Sequence, residues 1–122
     1  MEAQNQAAAA RAQGIVDARR QPRFKIEVEI TIDSRSCGKL KGRTVDLSES
    51  GISALLPIEV PVGEVVELTF TLPFGPVTIY AIVRQRNAFR YGFQFMELNF
   101  QEQIIGPTCR QLAVEQSLLG EP

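Results

Sequence analysis

The sequence predicts an all-β fold: a six-stranded antiparallel β-barrel with a C-terminal α-helix and a flexible or partly helical N-terminal segment. Three observations carry that expectation. Between residues 24 and 98, apolar and polar residues alternate with period two in run after run, the pattern of strands buried on one face. Clusters of Asp, Ser, Gly, Pro and Asn punctuate these runs at close intervals, as antiparallel hairpins require. Beyond Asn99 the apolar period lengthens to that of a helix. Closing short strands into a barrel removes their unpaired edges.

Residues 2–13 are mostly Ala, Gln, Glu and Arg. Their helix propensity is high, but a helix of that length with no apolar face to bury is marginal in water. Gly14 is a natural stop. Residues 1–18 are therefore expected to be a linker or frayed helix, with 15–18 as connector. The barrel is expected over 19–98. Its first strand is "FKIEVEITI", in which Phe24, Ile26, Val28, Ile30 and Ile32 alternate with polar residues. "DSRSCG" turns the chain into "KLKGRTVDL", and "SESG" turns it again into the short strand "ISALLP", stopped by Pro57. "EVPVG" connects, with Gly63 suited to a tight turn. "EVVELTFTL" places Val66, Leu68, Phe70 and Leu72 on one face, and "PFGP" leads to "VTIYAIVR", with Val77, Ile79, Ala81 and Val83 inward. After "QRNA", "FRYGFQFMEL" puts Phe89, Tyr91, Phe93 and Phe95 on a single face. In 99–122, Asn99 is the expected N-cap, with Glu102 three residues on. Ile105, Cys109 and Leu112 form the buried stripe of a helix that covers one end of the barrel. Gly106-Pro107 is expected to kink that helix or divide it.

Composition narrows the function. The chain has 122 residues, 44% hydrophobic and 22% charged, which suits one soluble domain with a modest core. Its N-terminus has neither the basic region nor the apolar stretch of a secretory signal, so the expected location is the cytoplasm, either as a free protein or as the cytoplasmic domain of a membrane-associated one. There is no His, which removes the commonest general acid–base and the usual base of a Ser or Cys nucleophile. An enzyme is not expected, and neither are catalytic residues. Cys37 and Cys109 belong to no C-x-x-C pattern, so they read as small buried or half-buried apolar residues and no metal site is expected. A net charge of −1 argues against long nucleic acid, which demands a basic stripe. A small ligand with two phosphates asks only for a few arginines in one place.

Such a place exists. Arg19, Arg20 and Arg23 stand immediately before the first strand, and Asp46, Ser48 and Gly51 sit where the second strand turns into the third. This pair of spacings, R-x-x-x-R followed by D-x-S-x-x-G, resembles the signature of the PilZ domain. Members of that family are bacterial receptor modules for the second messenger cyclic di-GMP. The resemblance covers about three quarters of the chain. It implies that Arg19, Arg20, Arg23, Asp46, Ser48 and Gly51 bind the ligand. It adds Arg84, at the end of the fifth strand, where relatives often carry a basic residue.

The residue types suit that ligand on chemical grounds. Guanidinium groups bind phosphate oxygens in two-pronged fashion, reach guanine O6 and N7, and stack on purine rings. The Asp46 carboxylate accepts from guanine N1–H and N2–H₂, and Ser48 offers a further hydrogen bond. Gly51 permits either a positive φ or a close approach. The resemblance further implies a regulatory domain that transmits binding as a conformational switch, alone or joined to an effector such as a polysaccharide synthase. Small Ala18 before the arginines favours a stacked pair of ligand molecules. The alternative within the family is an adaptor that binds protein and no nucleotide; such members typically lack the arginines. No insertion into a membrane is expected, and the oligomeric state is left open.

Overall fold

The computed structural model describes residues 21–96 and 101–120, with the side chains of 118–120 excepted. The expected N-terminal linker, Arg19, Arg20 and the Asn99 cap lie outside the described residues. Seven strands and one helix follow in order: β1 Phe24–Lys25, β2 Glu29–Ser34, β3 Gly38–Leu47, β4 Gly51–Leu55, β5 Val65–Leu72, β6 Gly75–Asn87, β7 Arg90–Phe95 and α1 Glu102–Gly120. All pairings are antiparallel. The sheet runs β3-β2-β5-β6-β7-β4 and closes through β3–β4, giving a six-stranded barrel, with β1 laid beyond β2 along the same edge of β3. Among the described residues no helix is long and apolar enough to cross a membrane.

The inward residues of the alternating runs make the core. Ile30, Ile32, Val66, Leu68, Phe70, Val77, Ile79, Ala81, Val83, Tyr91, Phe93 and Phe95 are all buried, in the faces read from the sequence. Gly63 has φ 96°, the left-handed turn expected of it.

Four expectations are corrected. The run 24–32 is two strands, because one extra residue bulges out. Phe24 and Lys25 pair with Leu47 and Asp46, whereas Glu29 pairs with Arg43. The pairing slips by one at Glu27, where the Thr44 hydroxyl enters the gap, donating to Ile26 O and accepting from Val28 N (2.9 Å). The fifth run extends at both ends to 75–87. The last strand starts at Arg90, because Asn87 pairs with Arg90 across a two-residue turn in which Ala88 has φ 58°. Phe89 therefore leaves the aromatic face and is 58% exposed.

The helix is one element, not two, with Pro107 in its second turn. Its first carbonyl acceptor is Gln101, bonded by the amides of Ile104 and Ile105. Ile105, Cys109 and Leu112 are buried in the barrel core as expected, and burying each aliphatic side chain contributes about 1.5–3 kcal/mol. The helix also guards the free edge of β1. The Gln116 side-chain amide donates to Lys25 O (2.7 Å) and accepts from Lys25 N (3.1 Å), standing in for a further strand.

Candidate functional site

Asp46 reaches the barrel surface because β3 bulges one residue earlier. Thr44 pairs with Ala54 but Asp46 pairs with Ser53, so Val45 is the extra residue and the side chains beyond it are re-aimed. Asp46 then heads a lateral row across the outer surface. It is level with Ser53 on β4, Ser53 with Gly92 on β7, and Gly92 with Gln85 on β6.

The carboxylate is the hub of the site. Its Oδ1 accepts from Arg23 Nη1 at 2.8 Å and from the Ser53 hydroxyl at 2.6 Å, and its Oδ2 accepts from Arg90 Nη2 at 2.9 Å. Its side chain is 13% exposed, whereas those of Arg23 and Arg90 are 35% and 52% exposed. The fold thus brings one residue of each sequence motif, 23 positions apart, into direct contact. A second tie joins the motifs: the Ser50 hydroxyl bonds the Gln21 side-chain oxygen.

The other residues of D-x-S-x-x-G shape the turn. Ser48 is fully buried, and its hydroxyl accepts from the amides of Ser50 (3.3 Å) and Gly51 (3.1 Å). The hydroxyl expected to offer a ligand a further hydrogen bond is therefore engaged within the chain. Of the two reasons left open for Gly51, the structure shows the close approach. Its φ is not positive, but an added Cβ would lie 2.4 Å from the Phe93 carbonyl oxygen on β7. Of this motif, only Asp46 is presented outward.

Arg84 stands apart. It is the extra residue where the β6–β7 register shifts between Val83 and Gln85, and its Nε donates to Gln94 Oε1 at 2.6 Å. Gln94 pairs with Gly51, so Arg84 lies two strands from the second motif without bonding to it. Reasoning from sequence missed Arg90 and Ser53. Neither lies in a motif, and Arg90 is 44 positions from Asp46, so only barrel closure brings them there. Among the described residues no three His, Cys, Asp or Glu side chains converge as metal ligands.

Comparisons with known proteins agree with this architecture. No curated protein matches the chain in sequence. Among solved structures, the PilZ domain of YcgR from Escherichia coli, solved with c-di-GMP, is similar at 18% identity and a TM-score of 0.67, covering 84% of this chain and 97% of that one. The PilZ domain of CeSA from a cellulose-synthesizing bacterium is similar at 16% identity and a TM-score of 0.58, covering 78% of this chain and 98% of that one. A YcgR–c-di-GMP complex from Escherichia coli gives 20% identity and a TM-score of 0.69 over 87% of this chain, which spans about half (50%) of that longer protein. At such identities the likeness shows the fold. The family model described as PilZ domain matches residues 17–106, most of the chain and both motifs, and the chain belongs to the PilZ domain family.

Proposed function

We propose that this chain is a receptor module for cyclic di-GMP, a regulatory domain and not an enzyme. The observation that carries the reading is the Arg23–Asp46 contact, which joins the two sequence motifs in one surface site with both groups partly open to solvent. Family membership supports it, as do the YcgR domains solved with c-di-GMP. Arg19, Arg20 and Arg23 take phosphate oxygens and guanine acceptors, and Asp46 takes the guanine N1–H and N2–H₂ donors. Ser48 and Gly51 act by holding the turn that presents Asp46.

Counting lone pairs gives the binding step. A carboxylate has about four acceptor sites. Two on Oδ1 are filled by Arg23 and Ser53, and one on Oδ2 by Arg90. A guanine edge that donates to both oxygens therefore needs a place on Oδ1, and of its two donors the 35% exposed Arg23 gives way more readily than the buried Ser53 and turns to a phosphate. Binding is an exchange of partners by Arg23. Because Arg23 follows directly on the N-terminal segment, the exchange reorients whatever that segment joins, and this is the signal. The small side chain that the sequence puts at position 18, just before the arginines, favours binding of the ligand as a stacked pair.

Calorimetric titration of cyclic di-GMP tests the reading. Wild type binds with micromolar or tighter affinity at two ligands per chain. Arg19→Ala, Arg23→Ala and Asp46→Ala each weaken binding by roughly 10- to 150-fold, the equivalent of one charge-assisted contact of about 1.5–3 kcal/mol. No heat, and no competition at high ligand concentration, overturns the proposal.

A further inference from the structure

We propose that the cleft beside Asp46 is a guanylate subsite, and that Arg90 and Arg86, which lie in neither motif, are binding residues in it beside Arg23. This rests on the receptor reading above. The cleft holds about 260 Å³ and opens to solvent between Arg23 on one side and the β6–β7 hairpin on the other. That is below the roughly 300–1,000 Å³ of sites that enclose a whole drug-sized ligand. It suits one base with its phosphate, half of the dinucleotide.

Its floor is the lateral row described above. Ser53 occupies the middle, and the Gln85 side chain lies across Gly92, whose missing Cβ makes room for it: a Cβ there would come within 2.9 Å of Gln85 Cγ. The small Ser53 and the planar Gln85 amide laid over Gly92 are the floor on which a planar ring would stack. The walls are three guanidinium groups, Arg23, Arg86 and Arg90. Asp46 neutralises only one of Arg23 and Arg90, and Arg86 is paired at 2.9 Å with Glu59, itself 74% exposed. The cleft keeps an excess of positive charge on a chain whose net charge is −1.

The chemistry of these walls matches a guanylate. Guanidinium forks take phosphate and the guanine O6/N7 edge, and their faces stack on a purine. Arg90 keeps one nitrogen on Asp46 Oδ2, which leaves the rest of its fork for the ligand. When Arg23 leaves Oδ1, Arg90 still orients the carboxylate toward the guanine edge. The subsite and the motif site are then one continuous surface.

The test separates Arg90 as a binding group from Arg90 as a mere counter-ion of Asp46. Cyclic di-GMP is titrated into wild type, Arg90→Ala, Arg86→Ala and, as a control, Arg35→Ala on the β2–β3 turn. Melting temperatures without ligand verify that each variant is folded. Arg86 has no bond to Asp46, so its effect cannot pass through the motif carboxylate. The expected result is a loss of roughly tenfold or more for each of Arg90→Ala and Arg86→Ala, with Arg35→Ala unchanged. Wild-type binding that Arg86→Ala leaves intact overturns the subsite, whether or not Arg90→Ala weakens it. A wild type that does not bind overturns the receptor reading itself, and the subsite with it.

Discussion

Replacing Gly51 by alanine separates what this motif residue does for the barrel from what it does for a ligand. The added Cβ would sit 2.4 Å from the Phe93 carbonyl oxygen, where contacts below 3.0 Å are essentially never seen. The obstacle is backbone, so no side-chain rotation relieves it. β4 and β7 must part by about 0.6 Å at that point. The neighbouring bond from Phe95 N to Ser50 O, now 2.9 Å, would stretch to about 3.5 Å, outside normal geometry. One or two buried bonds weakened in this way, at about 1–3 kcal/mol for each group left unsatisfied, give a destabilisation of about 2–4 kcal/mol. For a domain of this size that lowers the melting temperature by roughly 10 °C or more. Gly38→Ala is the control: it has φ 79° with nothing within 4 Å, so it carries only the left-handed strain of about 1–2 kcal/mol. Thermal denaturation followed by circular dichroism reads both. If Gly51→Ala melts as high as wild type or higher than Gly38→Ala, the close approach of β4 to β7 is not what requires glycine.

Two further outcomes follow from titratable groups. Hydrogen bonds from the Ser34 hydroxyl, and then from Ser36, hold the Glu64 carboxyl below the usual carboxylate range. Its contribution is present above the ordinary carboxylate pKa and lost as pH falls through the lowered one, so the melting-temperature advantage over Glu64→Gln should shrink between neutral pH and about pH 3; an advantage constant with pH refutes this. Burial, then the nearby Glu49 charge, pushes the Cys109 thiol up to about 11, and Cys109 is 2% exposed, whereas Cys37 is half-buried at the surface. A thiol reagent near neutral pH should label one cysteine in the native protein and the second only after denaturation, and rapid native labelling of both would show that α1 does not seal the core.

The sequence made the strands, their inward faces and the helix stripe legible because burial on one face imposes period two in strands and about 3.6 in helices. Three things escaped it. The bulges at Glu27, Val45 and Arg84 each insert one residue into a pairing, and alternation along a single strand carries no record of the partner's register. The turn expected over "QRNA" falls later, at Ala88–Phe89, and so takes an aromatic residue out of a run that reads as strand, since nothing in an alanine marks the φ 58° position in advance. The Asp46 site was half legible. Arg23 and Asp46 lie in short motifs, whereas Arg90 enters only because Leu55 pairs with it when β4 meets β7.

The contact between Arg23 and Asp46 raises the question of whether it shuts the site against the proposed ligand. Magnitudes decide it. An ion pair with a partner 35% exposed is worth at most about 1 kcal/mol, since water already satisfies much of what the pair provides. Breaking it therefore weakens apparent affinity by no more than about fivefold. The contacts that replace it, guanidinium to phosphate and carboxylate to guanine, are charge-assisted and contribute about 1.5–3 kcal/mol each. The exchange is favourable as soon as one such contact forms. Until then Asp46 holds Arg23 against the barrel, beside the place where the phosphate is to arrive. The pair thus preorganises the site more than it inhibits it.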